Sequence, residues 1–139
     1  MNVHDCIFFQ LAKASQAGIG YWSGRVKHMG VTASQAMVLN FLSEEDRIRA
    51  RSLGRKLQIS SATLTGILDR LEKLSLVERM PHPTDRRAVL ICLTDQGREC
   101  AAKINTIMVE ANRAYLDELG PEKSEDLLNI LKILSREKQ

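Results

Sequence analysis

Two clusters of polar and basic side chains in the middle of the chain have the composition of a nucleic-acid interface. The first combines hydroxyl groups with a guanidinium and comprises Ser60, Ser61, Thr63, Thr65 and Arg70. The second is the tripeptide Asp85-Arg86-Arg87. Hydroxyl and guanidinium groups donate hydrogen bonds to DNA phosphates and base edges. These two clusters are therefore the candidate DNA-binding residues.

The other polar residues lack the spacing of a catalytic or metal site. The sequence has no glycine-rich phosphate loop and no metal-ligand motif. The histidines lie far apart along the chain, at His4, His28 and His82. The three cysteines include no Cys-x-x-Cys pair, which argues against a disulfide framework and a zinc site; they are Cys6, Cys92 and Cys100. We predict that the protein is not an enzyme and needs no metal or cofactor.

Positive charge concentrates in the same middle part of the chain. Residues 47–98 carry eleven Lys and Arg side chains against five Asp and Glu, whereas residues 1–46 and 99–139 are slightly acidic. The net charge of the whole chain is only +3. A basic segment between acidic flanks favours a polyanionic partner such as DNA, although a solvated surface is the alternative explanation for any single run of charge.

The first cluster lies on a predicted amphipathic helix. Its apolar face consists of Leu64, Ile67, Leu68, Leu71 and Leu74. Ser60 or Ser61 can cap the N-terminus of this helix, and Ser52 can cap a shorter helix before it. The opposite face begins with small and hydroxyl residues, which allow a helix to enter a major groove about 12 Å wide. The alternative is an ordinary surface helix.

The second cluster lies in a predicted β-hairpin. Two β-prone runs, 76–80 and 88–93, bracket a segment of seven residues that contains two prolines. We expect the Asp85 carboxylate to hold the Arg87 guanidinium in a fixed direction. An oriented arginine on such a loop suits a narrow minor groove, where negative potential is concentrated.

Further amphipathic helices are predicted on both sides of this basic centre. One apolar stripe runs from Phe8 to Met29, and others follow Thr94 and Pro121. Thr32 can cap a helix before the basic centre, and Thr94 with the following aspartate can start the helix after it. No apolar run approaches the roughly 20 residues that cross a bilayer, and no secretion signal is evident. We expect a cytoplasmic protein with no membrane partner.

The order of these elements and several local motifs resemble the MarR family of bacterial transcriptional regulators. The motifs occur in the order of that family: Ser60-Ser61-Ala62-Thr63-Leu64-Thr65, Leu68-Asp69-Arg70-Leu71-Glu72, Leu76-Val77-Glu78-Arg79, Asp85-Arg86-Arg87 and Leu93-Thr94-Asp95-Gln96-Gly97. The resemblance extends over nearly the whole chain. Gly66, inside the candidate recognition helix, is not part of the family pattern.

The resemblance implies a mainly α-helical protein with a small β-wing and one domain over residues 1–139. A winged helix-turn-helix lobe would cover 32–98, and the helices of 1–30 and 99–139 would form a homodimer. The implied function is sequence-specific binding of a palindromic double-stranded DNA operator. Most members are repressors, and we expect a small-molecule effector to release this one.

The resemblance also assigns roles to individual residues. It places recognition-helix contacts on Ser61, Thr63, Thr65 and Arg70, and the wing contact on Arg87. An effector pocket would lie where the first, second and linker helices meet. Candidate lining residues are the aromatic side chains Phe8, Tyr21, Trp22, Phe41 and Tyr115. Aromatic residues at helical spacing are more often part of a core or a dimer interface, and that alternative stays open.

Two other functions are alternatives. Peroxide sensors of the family carry a reactive cysteine in the first helix, but that position falls nearer Phe8 than Cys6, so a redox-responsive repressor that uses Cys6 has weaker support. A winged-helix module that binds acidic proteins would use the same basic face. Such a module would show only salt-sensitive, sequence-independent affinity for DNA.

Overall fold

The computed structural model describes residues 1–136, which form six α-helices and a small sheet. The helices are α1 (Ile7–Val26), α2 (Ala33–Glu44), α3 (Ala50–Leu57), α4 (Ser61–Lys73), α5 (Asp95–Asp117) and α6 (Pro121–Leu134). The strands are β1 (Ile48–Arg49), β2 (Val77–Pro81) and β3 (Val89–Leu93). Short 3-10 turns, Val3–Asp5 and Lys27–Met29, flank α1. The predicted fold class, mainly helical with a small β-wing, is confirmed.

Hydroxyl caps start two of the helices at the predicted residues. Thr32 Oγ1 accepts the Gln35 amide at 3.2 Å, and Gln35 Oε1 accepts the Thr32 amide at 3.0 Å, which completes a capping box at α2. Ser60 Oγ accepts the Thr63 amide at 3.1 Å and caps α4. Such caps typically stabilise a helix by about 1 kcal/mol, so the sequence itself determines where α2 and α4 begin.

The prediction that Ser52 caps α3 is wrong. The helix begins at Ala50, Ser52 lies inside it, and Arg49 occupies the cap position without a side-chain hydrogen bond. Strand β1 runs directly into α3 and pairs antiparallel with β3, with Arg49 opposite Leu90. The predicted hairpin is therefore part of a three-stranded sheet of order β1-β3-β2.

The described chain forms two compact units, Met1–Ile107 and Met108–Gln139. A hydrophobic core fills the first unit and joins α2, α3, α4, the sheet and the start of α5. Its largest fully buried side chains include Leu39, Leu42, Leu53, Leu71, Ile91 and Ile104. Full burial of one such side chain contributes roughly 1.5 to 3 kcal/mol, so this core holds α4 and the sheet in one rigid frame.

The start of α5 is fixed to the segment between α4 and β2. A Cβ at Gly97 would lie 1.9 Å from the carbonyl oxygen of Leu76, so no other residue fits there without a shift of the backbone. Thr94 donates its amide to that same carbonyl at 3.1 Å and its hydroxyl to the Ser75 carbonyl at 2.6 Å. Thr94 also accepts the Gly97 amide at 2.9 Å, as its predicted role as a cap requires.

Each unit exposes apolar side chains along its helices. On α1, Ile7, Phe8 and Ile19 are 55%, 77% and 59% exposed. The second unit exposes Val109, Tyr115, Leu119, Leu128, Ile130, Leu131, Ile133 and Leu134. This many exposed large apolar side chains is typical of an interaction surface.

Two kinds of feature are not found within residues 1–136. None of the helices there combines the length and the apolar content that crossing a bilayer requires. No three His, Cys, Asp or Glu side chains in that range are grouped so that they could hold a metal ion.

Candidate nucleic-acid interface

Helix α4 buries one face and exposes the predicted DNA-binding residues on the other. Leu64, Leu68 and Leu71 are at most 4% exposed and belong to the core. The exposed residues of the first cluster are Ser60, Ser61, Thr63, Thr65 and Arg70. The helical period therefore brings the whole first cluster to the solvent-facing side of one rigid element.

Leu74 departs from the prediction that it shares the buried face of α4. The helix ends at Lys73, and Leu74 is 44% exposed. Ser75 then adopts a left-handed conformation with φ of 59°, which turns the chain toward β2. The apolar period of the sequence continues one residue beyond the point where the helix ends.

The hydroxyl groups of α4 differ in what they can offer to DNA. Thr65 Oγ1 donates to the Ser61 carbonyl at 2.8 Å, so its proton is occupied and only its lone pairs face outward. Ser60 Oγ donates to Thr63 Oγ1 at 2.9 Å, which leaves the Thr63 proton available. In this arrangement Thr63 can donate to a phosphate or base edge, whereas Thr65 can only accept.

Arg79 of β2 connects the sheet to α4. Its guanidinium donates to Asp69 Oδ1 at 2.8 Å and to the Glu72 carboxylate, one helical turn apart on α4. The Arg79 side chain is 29% exposed, so solvent screens these ion pairs only in part. The single positive charge of Arg79 offsets half of the negative charge of these two acids, which reduces their repulsion of an approaching polyanion.

The loop between β2 and β3, residues 82–88, forms the wing tip, and internal hydrogen bonds organise it. His82 Nδ1 accepts the amides of Thr84 and Asp85 at 3.2 and 3.1 Å. Asp85 Oδ1 accepts the amide of Arg87 at 3.0 Å. These bonds fix the backbone on both sides of Arg86.

The structure corrects the predicted pairing of Asp85 with the Arg87 guanidinium. Asp85 holds the backbone amide of Arg87, and its second oxygen, Oδ2, lies 3.4 Å from Nη1 of Arg49 on β1. The antiparallel pairing of β1 with β3 brings Arg49 to the wing tip although 36 residues separate it from Asp85. The guanidinium of Arg87 extends into solvent.

Several cations of the basic segment have no carboxylate partner among the residues that the structure describes. Among residues 1–136, the exposed side chains without an ion pair include Arg51, Arg55, Arg70, Lys73, Arg86 and Arg87. They lie on α3, on α4 and at the wing tip, while Arg49, Lys56, Arg79 and Arg98 are paired internally. The unpaired set is the one available to neutralise phosphates.

The predicted effector-pocket residues occupy different environments. Trp22 and Phe41 pack against the core, and Trp22 Nε1 donates to the Ala33 carbonyl at 3.2 Å. Tyr21 is half-buried on α1, while Phe8 is 77% exposed. Tyr115 belongs to the second unit and is 45% exposed. Their role in effector binding stays a prediction.

The two larger cavities of the first unit could hold a small molecule, but none of the five predicted aromatic residues lines them. One, of about 370 Å³, lies among Met29, Leu74, Gln96, Cys100 and Lys103. The other, of about 460 Å³, lies between the end of α2 and the start of α5 beside Asp46 and Arg98. Ligand sites typically measure about 300 to 1,000 Å³.

Asp46 links the second cavity to the sheet. Its Oδ1 accepts the amide of Leu93 at 2.9 Å, and its Oδ2 lies 3.6 Å from Arg98 Nη1. Arg98 also donates to the Leu93 carbonyl at 3.2 Å. Arg98 is therefore connected to the end of β3 both directly and through the Asp46 carboxylate.

The cysteines differ in burial. Desolvation raises the pKa of the Cys92 and Cys100 thiols above the usual cysteine range, so both stay protonated at neutral pH and are poor nucleophiles. Cys6 is partly exposed at the start of α1. A redox role of Cys6 stays a prediction.

Comparison with known proteins places this architecture among transcriptional regulators. The model of the MarR family matches residues 31–89. The homoprotocatechuate degradative operon repressor of Escherichia coli is 30% identical over 129 residues, which cover 93% of this chain and 87% of that protein. These matches agree with the prediction that the protein is not an enzyme.

Solved structures share the same fold over nearly the full length. A probable transcriptional regulator from Pseudomonas aeruginosa is 29% identical with a TM-score of 0.87, covering 96% of this chain and 99% of that one. The transcriptional repressor CouR bound to a 23-mer DNA duplex is 25% identical with a TM-score of 0.86, covering 96% and 95%. CouR from Rhodococcus jostii bound to p-coumaroyl-CoA is 18% identical with a TM-score of 0.84, covering 100% and 98%.

Proposed function

Because the chain belongs to the MarR family of transcriptional regulators, we propose that it is a homodimeric repressor that binds a palindromic operator in the cytoplasm. In this proposal α4 enters the major groove and the wing tip enters the adjacent minor groove. Residues 32–98 form the DNA-binding lobe, and the helices of 1–30 and 99–139 form the dimer. A small-molecule effector releases the DNA.

The distribution of unpaired cations is the observation that carries this proposal. Arg70 on α4 and Arg86 and Arg87 at the wing tip are exposed and have no carboxylate within ion-pair distance among residues 1–136. The nearby carboxylates of Asp85, Asp69 and Glu72 pair with Arg49 and Arg79. Phosphate neutralisation supplies most non-specific affinity, and base contacts supply specificity.

Selection of genomic fragments by the purified protein, followed by fluorescence anisotropy, tests the proposal. We expect a selected duplex to bind about a thousandfold or more tightly than an unrelated duplex of equal length. Affinity for both should fall as salt rises. Equal affinity for the two duplexes would instead support the protein-binding module.

Dimerisation follows from the apolar side chains that α1 and the second unit expose. A palindromic operator needs two recognition helices about one helical turn apart, which a two-fold dimer supplies. Analytical ultracentrifugation should show a dimer at micromolar concentration, and removal of residues 121–139 should abolish both the dimer and operator binding. A strictly monomeric full-length chain that still binds the operator would contradict this part.

The cavity beside Arg98 is our candidate for the effector site. An effector carboxylate there would compete with Asp46 for Arg98, and Asp46 also holds the end of β3. CouR, which has the same fold, binds the organic ligand p-coumaroyl-CoA. A thermal-shift screen of aromatic carboxylic acids tests the site, because Arg98→Gln should abolish stabilisation by a bound acid.

A further inference from the structure

We propose that His82, the first residue of the wing tip, is a positioning residue for Arg86 and Arg87 and not itself a DNA contact. This inference rests on the proposed DNA-binding function and deepens it. The imidazole organises the turn that carries both arginines, and Arg49 on β1 supports the same turn from outside. Operator affinity therefore depends on two side chains that the DNA does not need to touch.

The hydrogen bonds of His82 determine which of its nitrogens carries the proton. Nδ1 accepts two backbone amides, those of Thr84 and Asp85, and it can do so only when it is unprotonated. The ring proton of the neutral imidazole is therefore on Nε2. His82 Nε2 lies 3.4 Å from Arg49 Nη2. With this tautomer both nitrogens carry hydrogen, so no hydrogen bond forms between them.

The turn is closed by two acceptors in succession. His82 Nδ1 accepts hydrogen bonds from the amides at the start of the turn, and Asp85 Oδ1 accepts one from the Arg87 amide at its end. The Ala88 amide donates to the Asp85 carbonyl at 3.1 Å, and the His82 amide donates to the Ala88 carbonyl at 3.1 Å. The amides of Thr84 and Asp85 thus donate to His82, those of Arg87 and Ala88 donate to Asp85, and that of His82 closes the hairpin.

Arg49 connects this turn to the rigid frame. Its Nη1 lies 3.4 Å from Asp85 Oδ2, with both side chains nearly half exposed. An ion pair this exposed contributes little on its own. The role of this ion pair is to restrain the Asp85 carboxylate, which accepts the Arg87 amide.

Three substitutions of His82 separate positioning from simple electrostatics. His82→Asn keeps an acceptor, since Asn Oδ1 occupies the same position along the side chain as Nδ1. His82→Ala removes the acceptor. His82→Lys removes the acceptor and adds a positive charge on the face that would meet DNA.

Anisotropy with the operator fragment that the wild-type protein selects gives the first readout. We expect His82→Asn to bind within about twofold of wild type, and His82→Ala and His82→Lys to bind roughly tenfold more weakly, the loss typical of one hydrogen-bonding group. Tighter binding by His82→Lys would overturn the proposal, because charge at this position would then matter more than the acceptor. Unchanged binding by His82→Ala would also overturn it, because the side chain would then contribute nothing to affinity.

Amide hydrogen exchange of the free protein gives a second readout that needs no DNA. Protection of the Thr84 and Asp85 amides should persist in His82→Asn and disappear in His82→Ala and His82→Lys. If protection behaves so but wild type shows no preference for any duplex, the proposed DNA-binding function fails and the local structure stands. If wild type selects its operator but protection is unchanged in His82→Ala, the positioning role is wrong.

Discussion

Helix α4 and the wing tip expose side chains to the same proposed partner, but they hold those side chains by different means. The backbone of α4 is fixed by its own hydrogen bonds and by three leucines in the core, so its outward residues need no support from one another. The wing tip has no such core. Its shape comes from His82, Asp85 and Arg49, which are polar side chains near the surface.

This difference teaches how polar residues at the two sites should be interpreted. On α4, a polar exposed residue is available to DNA, and its own hydrogen bond only limits whether it can donate or accept, as in Thr65. At the wing tip, some polar residues are internal supports although they sit beside the arginines. Function at the wing is therefore shared between residues that contact DNA and residues that shape the loop.

The largest expected effect concerns the support of α4. Leu71→Ala removes a fully buried side chain and should lower the free energy of unfolding by about 2 to 5 kcal/mol. Lys73→Ala, on the exposed side of the same helix, should change it by less than about 0.5 kcal/mol. Urea denaturation measures both, and a small effect of Leu71→Ala would mean that α4 is not anchored by the core.

At the wing, the corresponding test is Asp85→Ala. Loss of its carboxylate removes an acceptor of the Arg87 amide and a partner of Arg49, so operator affinity should fall by about 1 to 2 kcal/mol although a negative charge is lost. The free energy of unfolding should change much less. Arg87→Ala, the matched variant that removes the contact itself, should weaken binding at least as much and reduce the salt dependence by about one counterion per half-site.

Tighter operator binding by Asp85→Ala at low salt would contradict the support role. Simple electrostatics would then outweigh orientation, and the wing would be a loose phosphate contact. Titrations at two salt concentrations distinguish these cases, because a pure charge effect fades as salt rises.

The sequence predicts the helix better than the wing, and the reason is physical. The start of α4 at Ser60 and its buried face follow from a cap and a period that lie within fifteen residues. The partner of Asp85 cannot be found this way, because Arg49 reaches it through pairing of β1 with β3. A strand of two residues is too short to show an alternating pattern of apolar residues. Neither β1 nor the ion pair between Arg49 and Asp85 could therefore be predicted from the local sequence.

A smaller effect should separate stability from binding at Gly66. A Cβ at this exposed position in α4 meets nothing within 4 Å, so Gly66→Ala should raise the free energy of unfolding by about 1 kcal/mol through helix propensity. The same methyl would stand between the helix and a groove floor, so operator affinity should fall. Calorimetry and anisotropy on one preparation measure the two changes.

Gly24→Ala is the matched control for Gly66. Its position on α1 is equally open, so a similar gain in stability is expected, and this variant tests the helix-propensity part of the prediction alone. If Gly66→Ala gained stability and bound the operator as tightly as wild type, this side of α4 would not approach DNA closely.

The smallest expected effect tests the hydrogen-bond polarity of α4 at Thr65. Because the hydroxyl proton is donated to the Ser61 carbonyl, Thr65 should favour bases that present an amino group in the major groove, adenine or cytosine, over those that present a carbonyl. Thr65→Val keeps the shape and removes the acceptor, while Thr65→Ser keeps the acceptor. Selection from a duplex library randomised at each operator position should show a preference at one position that Ser retains and Val loses, worth about 1 kcal/mol. Affinity for unrelated duplexes should stay unchanged in both variants, because an acceptor does not bind phosphate. If Thr65→Val instead lost affinity equally for all duplexes, the hydrogen bond of Thr65 to Ser61 would have to break in the complex, and Thr65 would donate to the DNA backbone.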